Sequence, residues 1–182
     1  MIGWLIVAGE AAFWLFVIGG LFARYVLRKE KLGALLLLGT PVIDILLILF
    51  TVIDLRNGAA ASVFHGLAAI YVGVTVAFGR GMIAWADARF LYMFAGGPKP
   101  AGKPRYGKER AKRERTGWYK HLLAWALGSA LLLGMIVLVN HPEQTGPLQQ
   151  MSLLWAGILL IDFAISFSYT LWPKQAKDAA GE

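Results

Sequence analysis

Residues 32–53 read LGALLLLGTPVIDILLILFTVI, an apolar run whose one ionisable side chain is Asp44. Crossing ~30 Å of hydrocarbon takes about 20 such residues in a helix, because each residue adds about 1.5 Å of rise. The run is long enough to span a bilayer, and a single segment satisfies its own backbone hydrogen bonds in lipid as a helix. Working outward, four more stretches meet the same test: residues 2–23, 60–79, 122–139 and 151–172. The expected fold is all-α: a polytopic bundle of five transmembrane helices forming one membrane domain over residues 1–182.

Composition points the same way. Of 182 residues, 58% are hydrophobic and 16% charged, and the mean hydropathy is +0.59. With Gly counted and Tyr left out, the apolar share is roughly two thirds, against about 45–50% for a soluble domain. That excludes a soluble globule and a disordered chain. The chain has no Cys, which removes disulfides, thiolate metal sites and a cysteine nucleophile together.

Basic residues set the expected orientation. Arg24, Arg28, Lys29 and Lys31 lie between the first two spans, a long basic series lies between the third and fourth, and Lys174 and Lys177 follow the fifth. Of the 18 Lys and Arg residues, Arg56 alone falls on the other side. The N-terminus is therefore expected outside and the C-terminus in the cytoplasm of a bacterial inner membrane. No cleavable signal is expected, since the basic cluster follows the first apolar run instead of preceding it.

Residues 80–119 form a cytoplasmic excursion. Its first part, Arg80 to Tyr92, reads as an amphipathic continuation at the membrane surface, and Gly96-Gly97-Pro98 breaks it. The run KERAKRER from Lys108 carries opposite charges four apart and predicts a short solvated helix. Lys99, Lys103, Arg105, Lys108, Arg110, Lys112, Arg113 and Arg115 are expected to touch anionic lipid headgroups, an attraction worth about 1 kcal/mol per basic residue near the surface. Tyr106 alone interleaves them as an aromatic, which argues against nucleic acid. A membrane-protein partner remains open.

Ionisable groups at bilayer depth cost about 2.5–3.5 kcal/mol each on insertion scales, so they mark candidate sites. Thr40, Asp44, Thr51 and Asp54 fall within one stripe of the second span at 100° per residue. Asp162, Ser166 and Tyr169 form a second stripe in the fifth span, with Asp162 counted near mid-depth. Glu10 and His65 complete the candidate polar set. No Lys or Arg lies at central depth, so neither Asp44 nor Asp162 has such a counter-ion, and each is expected as a hydrogen-bonded neutral acid unless water or a cation enters. Pro41 is expected to kink the second span and free a carbonyl near Asp44. His65, Ala69, Gly73, Ala77 and Gly81 recur every fourth residue, as do Ala126, Ala130 and Gly134; both are expected as helix-packing ridges.

Nucleotide-binding, zincin and serine-hydrolase motifs are absent. The two aspartates lack the Tyr-Asp and Gly-x-Gly-Asp context of intramembrane proteases. Glu10, Asp44, His65 and Asp162 are plausible metal ligands by type but share no local spacing, so neither metal nor cofactor is expected. The segments RYVLRKEKLGALLLLGTPVIDILLILFTVIDLRNG, HGLAAIYVGVTVAFGRGMIAWAD and SFSYTLWPK resemble small uncharacterised bacterial multi-pass inner-membrane proteins. That resemblance implies an envelope location and no activity or catalytic residue.

Three functions fit. The foremost is a non-enzymatic membrane protein: a partner subunit, scaffold or lipid-responsive element. The second is proton or cation permeation through Asp44 and Asp162, with Glu10 and His65 taking part. The third, a small intramembrane lipid-modifying enzyme, lacks a supporting motif.

Overall fold

The computed structural model describes residues 2–94, 96–102 and 106–173, without the side chains of residues 2, 3, 6, 10 and 94. Lys103, Arg105, Lys174, Lys177 and the Glu10 side chain therefore lie outside the described part. Five helices follow one another: α1 (Ile2–Tyr25), α2 (Glu30–Arg56), α3 (Val63–Phe94), α4 (Gly107–Val139) and α5 (Pro142–Leu171). All five are long and apolar enough to cross a membrane, and no strand occurs among the described residues. The chain is a five-span helical bundle. Its basic end holds the α1–α2 turn and the α3–α4 connection; its far end holds the α2–α3 and α4–α5 connections.

The helices outrun the apolar spans that reveal them. α3 continues past residue 79 to Phe94, so the amphipathic segment extends the same helix. It ends where Gly96 takes φ 65° and the Gly97 N–H returns to the Leu91 carbonyl. The KERAKRER run forms the opening turns of α4 and is not a separate short helix. The Asn140–Gln150 connection shrinks to two residues. Asn140 turns the chain in the left-handed region, which Asn tolerates, and Pro142 starts α5 at once, its fixed φ suiting a first helical position.

Pro41 does not interrupt α2. A proline there leaves the Leu37 carbonyl without its usual N–H partner. The neighbouring Thr40 hydroxyl donates to that carbonyl at 2.9 Å, so the freed group is satisfied within the helix.

α1 lies along α2, α4 lies along α5, and α3 packs on both α2 and α4. In lipid, close packing replaces the hydrophobic drive between helices, and small residues permit it. A Cβ on Gly33 would come within 2.7 Å of the Gly20 carbonyl oxygen, so the backbones of α1 and α2 nearly touch there. Gly73 of α3 sits against the Ala124 carbonyl of α4, and Gly128 accepts the Trp155 ring. The α4 face that packs is thus Ala124 and Gly128. Ala126 and Ala130 are exposed instead, because the helix turns a different face to α3 than the expected ridge. At the far end Leu55, Leu132, Met135 and Leu148, from α2, α4 and α5, close a shared core.

Candidate functional site

Asp44 lies twelve residues, about 18 Å, from the Arg56 end of α2. Its side chain is fully buried, and neither carboxylate oxygen has a hydrogen-bond partner among the described residues. Buried polar groups are nearly always satisfied, so an orphaned carboxylate stands out. With its carboxylate oxygens covered by the protein, Asp44 is one of nine residues around a cavity of about 170 Å³. α1 contributes Phe13 and Trp14 to its wall, α2 contributes Leu47 and Thr51, and α3 contributes Phe64, Leu67, Ala68 and Tyr71. The spacing of Asp44, Leu47 and Thr51 at three and four residues keeps them on one helical face.

The cavity runs from Phe64, in the first turn of α3, down to Asp44 and Tyr71. Phe13 and Tyr71 of its wall stack on each other with centroids 5.3 Å apart and planes 6° apart, joining α1 to α3. Trp14 and Phe64 are 56% and 64% exposed, so the mouth opens sideways between α1 and α3. Towards the basic end the α1–α2 seam closes, with the Phe16 ring against Gly39 and the Gly20–Gly33 approach beyond it.

The other predicted residues divide between separate places. Thr40 and Thr51 are buried on the Asp44 side of α2, and Asp54 is half-buried near its far end. Thr40 is occupied with the Leu37 carbonyl. Glu10 falls three and four residues before Phe13 and Trp14 on α1, its side chain outside the described part. His65 serves the start of α3: its Nδ1 accepts the Ser62 backbone N–H at 3.0 Å, as the third residue of a capping box does.

Asp162 does not join Asp44. Its Oδ2 lies 2.6 Å from Nδ1 of His121 on α4, and Ser166 donates to Oδ1 at 3.4 Å. The α4–α5 register sets Asp162 beside a residue that directly follows Lys120, nearer the basic end than a count from the apolar span places it. The cause is the nine-residue polar start of α5, which is helical and buries Thr145 and Leu148. Tyr169, further along that face, lies under the Arg110 guanidinium, 4.1 Å from its centroid. Two salient features escaped the sequence reading. His121 did because only Lys and Arg were sought as partners. The second is the grip on Asp87, which the spacing sets on one helical face with Arg80 but which is held by Arg24 through hydrogen bonds of 2.9 and 2.7 Å and by the Tyr25 hydroxyl at 2.9 Å. Arg24 and Asp87 are 63 residues apart, and nothing in the local spacing joins them.

The basic run also divides. Lys99, Lys108 and Lys112 are exposed, whereas Arg110, Arg113 and Arg115 are half-buried. Arg113 pairs with Glu114, and Arg115 donates to the Thr170 hydroxyl of α5 at 2.8 Å. The Arg110 and Arg115 guanidinium groups thus fasten α4 to α5 while the lysines face outward. Among the described residues no cluster of three or more His, Asp and Glu is placed to hold a metal.

Five long apolar helices around a buried carboxylate define a small multi-pass membrane protein. Its sequence is 44% identical over 181 residues to YmcC of Bacillus subtilis (strain 168), described as an uncharacterised membrane protein, covering 98% of this chain and 96% of YmcC. The chain belongs to the family of membrane proteins that includes YmcC. No family model matches it, and no solved structure matches significantly.

Proposed function

We propose that this is a non-enzymatic protein of the bacterial inner membrane, with its basic end in the cytoplasm, that binds a cation at Asp44. The observation that carries the reading is Asp44: its carboxylate is fully buried without a hydrogen-bond partner among the described residues, and the residue is part of the lining of a cavity of about 170 Å³. A charged carboxylate in such surroundings is costly without a partner. A proton or an entering cation completes it. Binding is favoured over permeation because the Phe16 ring packs against Gly39 and closes the α1–α2 seam on the basic side of Asp44. Exposed Lys99, Lys108 and Lys112 suit contact with anionic headgroups at the cytoplasmic surface, and a membrane-protein partner is compatible with the same face.

Carbodiimide labelling tests the site, since the reagent modifies neutral carboxyls in apolar surroundings. Peptide mapping by mass spectrometry should find the adduct on Asp44 in wild-type protein in nanodiscs. Sodium or a small ammonium salt should slow it. An Asp44 that is not labelled, or that is labelled at one rate whatever cation is present, overturns the reading.

A further inference from the structure

We infer that the cavity between α1, α2 and α3 receives the head of an organic ammonium ion, with Asp44 as its counter-ion and the aromatic wall as its cage. This rests on the reading of Asp44 as a cation site and adds the chemical class. Of the nine residues lining the cavity, Phe13, Trp14, Phe64 and Tyr71 are aromatic, and only Asp44, Thr51 and Tyr71 carry side-chain oxygen. Hard inorganic cations such as calcium or magnesium take about six or more oxygen ligands. The wall is poorly furnished for them. An ammonium ion asks for something else: one carboxylate for its charge and aromatic faces within about 6 Å for its polarised methyl or methylene groups.

Size agrees with this class. A cavity of about 170 Å³ is close to the roughly 150 Å³ that admits a benzene ring in an engineered apolar site. It accommodates a trimethylammonium or benzylammonium head and no drug-sized molecule. The mouth adds a preference. Trp14 and Phe64 are exposed on the flank of the bundle, the surface that meets acyl chains in a five-span protein. A ligand with an apolar tail therefore seats its head against Asp44 and leaves the tail in lipid between α1 and α3.

The closest rival is a cavity that holds only water. Water needs two to four polar partners; the Asp44, Thr51 and Tyr71 side chains offer them to a water at their end, while the aromatic and aliphatic rest of the wall offers none. A response that depends on the charge of the ligand separates the two cases. Two other aspartates are already engaged: Asp87 by Arg24 and Tyr25, and Asp162 by His121 and Ser166. Asp44 is the buried carboxylate left open among the described residues.

The test uses the full-length protein in nanodiscs of zwitterionic lipid, with benzyltrimethylammonium as the probe. Its neutral carbon isostere, neopentylbenzene, and sodium chloride are the comparisons. Benzyltrimethylammonium should raise the unfolding temperature in a saturable way and protect Asp44 from carbodiimide. The isostere should bind at least about tenfold more weakly, since it lacks the charge that the carboxylate and the aromatic faces recognise. Asp44→Asn should abolish the shift, Trp14→Leu should weaken binding several-fold, and Asp162→Asn should leave it unchanged. Because the isostere comparison uses wild-type protein, misfolding of a variant cannot decide the outcome. Equal binding of the isostere, or a shift that survives Asp44→Asn, overturns the inference. Protection by sodium without protection by benzyltrimethylammonium also overturns it, while leaving the cation-site reading intact. Protection by neither cation removes both.

Discussion

Two aspartates in the same dipeptide, Ile43-Asp44 and Ile161-Asp162, receive opposite treatment from the fold. Asp162 lies in the α4–α5 half, 29% exposed, and has both oxygens in contact with partners, His121 and Ser166. Asp44 lies in the α1–α2–α3 half, wholly buried, with neither oxygen bonded among the described residues and an aromatic-walled cavity at its side of the helix. A hydrogen-bonded acid between two helices acts as glue. An unbonded one at greater depth is a cost to the fold, and such costs gather where a protein binds something. Position in sequence does not separate the two. The neighbouring helices do.

The largest effect is expected where the two halves meet. Gly73 of α3 abuts the Ala124 backbone of α4, so a side chain there forces helices apart instead of displacing a flexible neighbour. Gly73→Leu should lower unfolding stability by about 3 kcal/mol or more, at or beyond the upper range for overpacking. A Cβ on Gly134, also in the membrane part of α4, would meet no atom within 4 Å. Gly134→Leu should stay within about 0.5 kcal/mol of wild type, as surface substitutions do. Thermal unfolding of both in nanodiscs checks this. Equal losses would mean that the seam between the halves is not where the backbones meet.

The next effect is one of sign. Replacing an unsatisfied buried polar group by an apolar one removes a penalty of about 1–3 kcal/mol. Asp44→Leu, with cavity space beside it, should raise stability in the absence of ligand. Asp162→Leu strips His121 and Ser166 of an acceptor and should lower stability by about 1 kcal/mol. Unfolding measured side by side, without added cations, decides between them. Loss of stability in both variants would erase the contrast between the aspartates.

Much of the architecture was legible because lipid imposes a strict length rule. Five apolar stretches marked five helices, and the polar stripe of α2 followed from its periodicity alone. Thr40, Asp44 and Thr51 share that stripe and are all buried. The limits of the helices were less legible, since polar residues such as those of PEQTGPLQQ continue a helix beyond the hydrocarbon once Pro142 starts it. The register between helices was not legible at all. It depends on close approaches such as Gly20 to Gly33 and Gly73 to Ala124, and no single sequence states which small residues meet. Hence His121 and Asp162, 41 residues apart, and Arg24 and Asp87, 63 apart, emerged only from the fold. One detail was readable in principle: a threonine directly before a mid-helix proline is placed to satisfy a carbonyl that the proline releases, as Thr40 does.

The smallest expected effect bears on the bonded aspartate. His121 and Asp162 face each other across α4 and α5 at 2.6 Å, but the imidazole is 49% exposed, and hydrogen bonds between membrane helices average only about 0.6 kcal/mol and reach about 1.7. A double-mutant cycle of His121→Ala and Asp162→Asn isolates the pair from what each side chain does alone. Its coupling should fall between about 0.6 and 1.7 kcal/mol, because the contact is short and joins one acid to one ring. Repeating the cycle in Asp44→Leu protein should return the same coupling, since independent sites add. A coupling that changes with residue 44 would show that the two aspartates sense each other through α3, and the division of the bundle into a binding half and a bonded half would have to be given up.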